Sequence, residues 1–317
     1  MIIKNSNLRR NIFENRYKIL AIIVAIILVL CLIRVLNDYA KELNKKQNVN
    51  TINPNSSYKP QETTILGSNV KEEVQQKNTK VMDEFIKYCN SKEIEKAYNL
   101  LTEECKIEKF SNSIENFKKD YVEKIFTTTK TYNMQSWING ENPTYKVRIL
   151  NDVLSTGSTG EVVEDYVTIV KENNSYKINL NSYIGSKTNI NKPTKQGDIT
   201  LTLLSKETNM NYEIYNIKVE NNTENTILLD TKTKQKSVYA TGSNKATYTA
   251  FIHEIENTFL TIKPHIYRTI SIKINKIYSP NIGVNKITFT DVIMNLEAYN
   301  NTQNKKDYPR TTIEMNV

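Results

Sequence analysis

The chain has 317 residues, of which 24% are charged and 38% apolar, with 8 glycines and 3 cysteines. That balance excludes collagen-like, disulfide-dense and wholly disordered classes and leaves room for an anchor and two ordinary domains. The net charge is +9 and the pI about 9.1, but lysines are interspersed with acids along nearly every segment, so the basic balance reads as a solvated surface rather than a nucleic-acid footprint.

The first organised feature is an apolar run. Residues 19–33 (ILAIIVAIILVLCLI) carry no charge, and Val35 and Leu36 extend the run past Arg34. As a helix, residues 19–36 span about 27 Å at 1.5 Å per residue, close to the roughly 30 Å of bilayer hydrocarbon, with Arg34 snorkelling to the far interface. Lys4, Arg9, Arg10, Arg16 and Lys18 precede the run against one acid, Glu14. This excess predicts a cytoplasmic tail at 1–18, a transmembrane helix at 19–36 and an extracytoplasmic remainder. A cleaved signal peptide is the rival, but its only candidate site, before Lys41, puts Asp38 where a small residue is needed. A lipoprotein-like LVLC at 28–31 has the same defect at Leu30.

Residues 37–71 are polar, contain Pro54 and Pro60 and lack apolar periodicity, which predicts a flexible stalk. No proline then occurs until Pro143, and no glycine between Gly67 and Gly140. Within that gap, helical spacing joins Val81, Phe85 and Cys89, then Ile94, Ala97, Tyr98 and Leu101, then Ile114, Phe117, Tyr121 and Ile125, with Ser113 placed as an N-cap. Cys89 and Cys105 admit either a bridge between adjacent helices or two buried thiols. The period then switches to two. About four strands are predicted, at 128–137, 145–149, 163–170 and 176–180, with turns at 140–143, 155–160 and 173–174. Helices followed by antiparallel strands make 72–187 an α+β domain.

The segments VMDEFIKYCNSKEIEKAYNLL, SIENFKKDYVEKIF and NNSYKINLNSYI, with the strands between them, resemble the nuclear transport factor 2-like superfamily. The resemblance implies a bent sheet wrapped around helices to form a cone with an opening. Members range from enzymes to structural subunits of conjugation and secretion machines. In such a cone Tyr121, Tyr132, Trp137, Tyr145 and Tyr166 would line a cavity for an apolar ligand, while core packing is the competing account of the same rings.

A polar hinge at 188–195, containing Pro193, leads to 196–317, which is rich in short strands. Alternating rows such as Ile199, Leu201, Leu203 and Tyr215, Ile217, Val219 predict an all-β sandwich. YEIYNIKVENNTENTILLD, FLTIKPH and KITFTDVIMNL resemble immunoglobulin-like (telokin-like) domains of bacterial surface proteins, which implies a non-catalytic adhesion, spacing or assembly module. The Cys, Trp, Cys pattern of antibody domains is missing, since the only tryptophan is Trp137.

No catalytic residue, metal ligand set or cofactor site emerges. His253 and His265 are the only histidines, and neither has a second histidine at zinc-binding spacing. Gly157 to Gly160 does not match a nucleophile elbow, and the glycines do not cluster into a phosphate loop. Glu103 with Glu104, and Glu161 with Glu164 and Asp165, read as solvated surface acids. The sequence therefore predicts a membrane-anchored, non-enzymatic interaction module whose partner is an envelope protein or wall polymer. The alternative is a tethered small-ligand binder using the cone's pocket.

Overall fold

The helix α1 (Glu72–Asn90) buries Asn78, Met82, Phe85 and Cys89, residues three and four apart that share one face. The computed structural model describes residues 72–158, 160–173 and 175–317. The predicted tail, membrane span and stalk at 1–18, 19–36 and 37–71 lie outside the described residues. Among the described residues, no helix is long and apolar enough to cross a membrane.

After α1 come α2 (Ile94–Asn99) and α3 (Glu103–Phe110), the latter capped by Thr102, which accepts the backbone N–H of Cys105. α4 (Ile114–Phe117) is capped by Ser113, as its sequence context predicts, and runs through a π-helical turn (Lys118–Val122) into α5 (Glu123–Ile125). The widened turn lets Phe117, Tyr121 and Val122 all face inward. Cys89 and Cys105 are free thiols, both buried.

Four strands follow in sequential antiparallel order: β1 (Lys130–Ile138), β2 (Thr144–Asn151), β3 (Val163–Glu172) and β4 (Ser175–Asn179). Tyr132 stands opposite Ile149 and Met134 opposite Val147, all buried on the face toward α1. The helical layer is sewn to this sheet where Leu101 bridges Ile178 in parallel. A short helix, α6 (Val153–Thr156), fills the β2–β3 connection. Gly160, at φ +58°, closes that connection because a Cβ there would sit 2.1 Å from Asn151 Nδ2.

The remainder contains β5 (Tyr183–Lys187), β6 (Lys192–Gln196), β7 (Ile199–Asn209), β8 (Tyr212–Asn221), β9 (Ile227–Leu228), β10 (Val238–Gly242), β11 (Thr247–Thr249), α7 (Asn257–Leu260), β12 (Thr261–Ile262), β13 (Ile266–Asn275), β14 (Val284–Val292), α8 (Leu296–Asn301) and β15 (Thr311–Asn316). One sheet has the order β13-β8-β7-β5 with β6 also on β7, another β11-β10-β14-β15, and β12 pairs with β9. All these pairings are antiparallel. Leu201 with Val219 and Ile217 with Ile270 face Ala240 with Ile287 and Phe289 with Ile313 within one apolar core. Two such sheets sharing a core have the layering of a β-sandwich.

The chain enters this second sheet early. β5, which falls within the bounds 72–187 expected for the first domain, is hydrogen-bonded to β7, and the polar stretch 188–195 already carries the start of β6. Both strands lie at the sheet margin, β6 largely exposed and β5 fully burying only Tyr183, so they lack the apolar row by which a strand announces itself. The described residues all fall within a single compact unit.

Candidate functional site

The five aromatic residues assigned to a pocket divide between the two faces of the first sheet. Tyr121, Tyr132 and Tyr145 are buried on the helix side, whereas Trp137 and Tyr166 are half-buried on the other. Tyr121 belongs to a ring cluster. It stacks on Phe117 at 5.8 Å, meets Phe85 at 5.9 Å and lies edge to face with Phe110 at 6.4 Å. Its hydroxyl has no partner among the described residues, and burial pushes its pKa well above the usual value.

Tyr132 and Tyr145 both reach α1. The Tyr145 hydroxyl accepts a 2.7 Å hydrogen bond from Asn78 Nδ2, and burial raises its pKa to about 12 against the pull of that bond. The Tyr132 hydroxyl donates to Asp83 Oδ1 at 2.7 Å, partly offsetting the rise that burial imposes on the Asp83 carboxyl. Beside these contacts, Asn78 Oδ1 and Thr79 Oγ1 are buried with no partner among the described residues. Geometry thus brings two of the five aromatics to one polar strip between α1 and β1–β2.

On the opposite face, Trp137 and Tyr166 pack at 5.5 Å, with Lys146 Nζ 6.0 Å from the indole. Lys146 and Arg148 both contact Glu164, at 3.0 and 3.1 Å. Exposed pairs of this kind contribute little to stability.

Asp165, which the sequence places among surface acids, is buried. It follows the alternating row Val163, Asp165, Val167 and points inward. Its carboxylate accepts the backbone N–H groups of Tyr166, Asn181 and Ser182 at 2.7–2.8 Å, and the Ser182 hydroxyl at 3.3 Å. Burial raises its pKa to about 6, outweighing these bonds to the charged form. The carboxylate thereby holds Asn181 and Ser182 at φ +55° and +60°, a left-handed pair that launches β5. Around this turn Ser182 C=O accepts from Met210 N–H at 2.8 Å, Tyr183 donates to Glu104 at 3.1 Å, and Lys109 bonds Glu207 and Asn209 at 2.8 Å each. These contacts form a polar seam between the helical layer and the end of β7.

Two charged clusters lie in the second half. Glu213, 1% exposed, meets Lys206 at 3.0 Å and Lys276 at 3.1 Å and accepts the Tyr215 hydroxyl. Burial opposes its charge, but Lys206, Tyr215 and Lys276 together hold its pKa below the usual carboxylate value. Asp291, also buried, contacts Arg310 at 2.9 Å and Lys234 at 3.2 Å and accepts from Thr231. Its pKa is likewise held low despite burial, while burial and the charge of Asp291 raise that of Asp230. Sequence reasoning missed both clusters, although Glu213 stands in register with the inward row Tyr215, Ile217, Val219.

His253 is exposed on a 3-10 turn, and exposed His265 lies 3.2 Å from Glu224. Among the described residues, no three His, Cys, Asp or Glu side chains gather where they could hold a metal ion. The chain matches no protein-family model, no curated protein and no solved structure.

Proposed function

We propose that this chain is a single-pass, membrane-tethered protein whose part beyond residue 36 stands outside the cytoplasm as a non-catalytic interaction or assembly module of the bacterial envelope. In this reading a nuclear transport factor 2-like domain is followed by an immunoglobulin-like one. No cofactor is used, and the partner is another envelope protein or wall polymer. The observation that carries the proposal is where the polar groups go. Asp165, Lys109, Glu213 and Asp291 are each engaged by neighbouring residues in joining strands, turns and helices. The outer surface, by contrast, presents large apolar side chains, among them Leu154 at 83% and Ile277 at 69% exposure. The apolar run at 19–36 and its basic first flank supply the tether and its direction.

Crosslinking the intact protein in its native membrane, then identifying what is attached, tests the proposal. A discrete macromolecular adduct is expected. Retention on purified wall polymer that weakens with salt would single out that partner through its electrostatics.

One observation favours a second reading. Asn78 Oδ1 and Thr79 Oγ1 are buried beside Tyr132 and Tyr145 with no partner among the described residues, an arrangement suited to a small polar ligand between α1 and β1–β2. Native mass spectrometry that finds a small molecule retained by the wild type and lost in Asn78→Ala, with no macromolecular adduct in the membrane, would favour this reading over the first.

A further inference from the structure

The strand β13 is the outermost strand of its sheet, with β8 on one side. Lys273 C=O accepts from Phe251 N–H, and Ala250 bridges Ile274, so β11 and the residues after it shelter the C-terminal half of β13. That bond also fixes polarity. Lys273 turns its backbone groups away from β8, and by strand alternation so do Ser271, Thr269 and Tyr267. The backbone groups of these three residues have no strand partner among the described residues, and Ile266 to Thr269 are all exposed. The edge runs in unbroken register without a bulge or proline, devices by which proteins commonly blunt such an edge.

Its side chains are those of a docking strip. Tyr267 is 63% exposed and Ile266 48%, and Phe259 of α7, itself 47% exposed, packs under the Arg268 guanidinium at 5.8 Å. The strand IYRTISIKIN carries two cations, Arg268 and Lys273, and no acid. A second copy of β13 would therefore bring cation toward cation. A strand that alternates acidic and apolar residues meets both features, setting carboxylates beside Arg268 on one face and apolar side chains against Tyr267 on the other.

We propose that the open edge of β13, from Ile266 to Ser271, is a strand-addition site that takes an extended, acidic and apolar segment of a partner protein. The inference rests on the reading of the chain as an interaction module and names the chemistry of its partner. Main-chain hydrogen bonds to Tyr267, Thr269 and Ser271 supply affinity, and Arg268 selects charge.

Fluorescence anisotropy of the full-length protein in mild detergent, with a labelled short peptide alternating valine and glutamate as the probe, tests the edge. Saturable binding is expected, with a valine–lysine peptide or one N-methylated on alternate residues failing to compete. Thr269→Pro removes an outward N–H without touching the β8 ladder, and Arg268→Glu reverses the selecting charge. Each is expected to weaken binding by about tenfold or more while thermal melting stays near wild type. Equal affinity for both variants and wild type would overturn the proposal, as would a dimer that Thr269→Pro dissolves, which would make the occupant a second copy. If Thr269→Pro fails to fold, Arg268→Glu and the N-methylated peptide carry the same decision. Loss of peptide binding with the membrane crosslinks intact removes the edge alone, whereas absence of both removes the module as well.

Discussion

The Asp165 carboxylate accepts the backbone N–H of Ser182 at 2.8 Å, and that single bond spans from β3 to the turn that sends the chain into the second sheet. Asn181 and Tyr166 donate to the same carboxylate. A buried acid thus serves as the clasp of a left-handed turn built without glycine.

Its titration carries a defined sign. The ordinary carboxyl value is 3.8 and the folded value about 6, so the native state holds the proton more tightly than the unfolded chain. This group's contribution is greatest below the unfolded value, falls as pH rises through that window and is flat above it, a change of roughly 3 kcal/mol. Asp165→Asn keeps a side-chain acceptor and removes the titration. Melting temperature measured across that pH range is expected to vary less in Asp165→Asn than in wild type. An unchanged pH profile would assign the slope to other groups.

The buried tyrosines separate packing from hydrogen bonding. Tyr145→Phe leaves the Asn78 amide without its partner and is expected to cost about 1–2 kcal/mol in chemical denaturation. Tyr121→Phe removes a hydroxyl without a partner among the described residues, keeps the ring stack and is expected to be neutral or stabilising. A loss greater than about 1 kcal/mol in Tyr121→Phe would mean that its hydroxyl has a partner after all.

Glu213 and Lys276 form a nearly solvent-free pair at 3.1 Å. Lys276→Met leaves Glu213 with Lys206 and Tyr215 alone and is expected to cost roughly 2–4 kcal/mol, whereas Glu213→Gln combined with Lys276→Met recovers part of the loss. A double-mutant cycle reads the coupling directly. Because the folded pKa of Glu213 is lowered, its contribution is present above the unfolded value and disappears as pH falls through the folded one, opposite in sign to Asp165. Acid titration of wild type against Glu213→Gln checks that direction.

Much of the layering was legible because burial and periodicity coincide. Phe85, Phe117 and Tyr121 lie at helical spacing and meet in one ring cluster, while Leu201 and Val219 alternate with polar neighbours and meet across β7 and β8. The strip formed by Tyr132 and Tyr145 was legible in part, since residue type and strand parity place both rings on one face. What escaped follows from long-range effects. β15 has only Ile313 and Met315 as its apolar row, and these pair with Phe289 and Ile287 of the distant β14. Asp165 resembles a surface acid until the N–H groups of Asn181 and Ser182 fold back over it. The separation of Trp137 from Tyr132, by contrast, is already given by strand alternation, since the two stand five residues apart on β1.

The proposed envelope role requires that the apolar segment at 19–36 hold the chain in the membrane with the described part outside. The most direct measurement is protease treatment of cells stripped of their wall and carrying a tag after Val317. Digestion of the tag while a cytoplasmic marker survives is the result expected. A tag that resists until the cells are opened would place residues 72–317 on the cytoplasmic side and contradict the proposed envelope role.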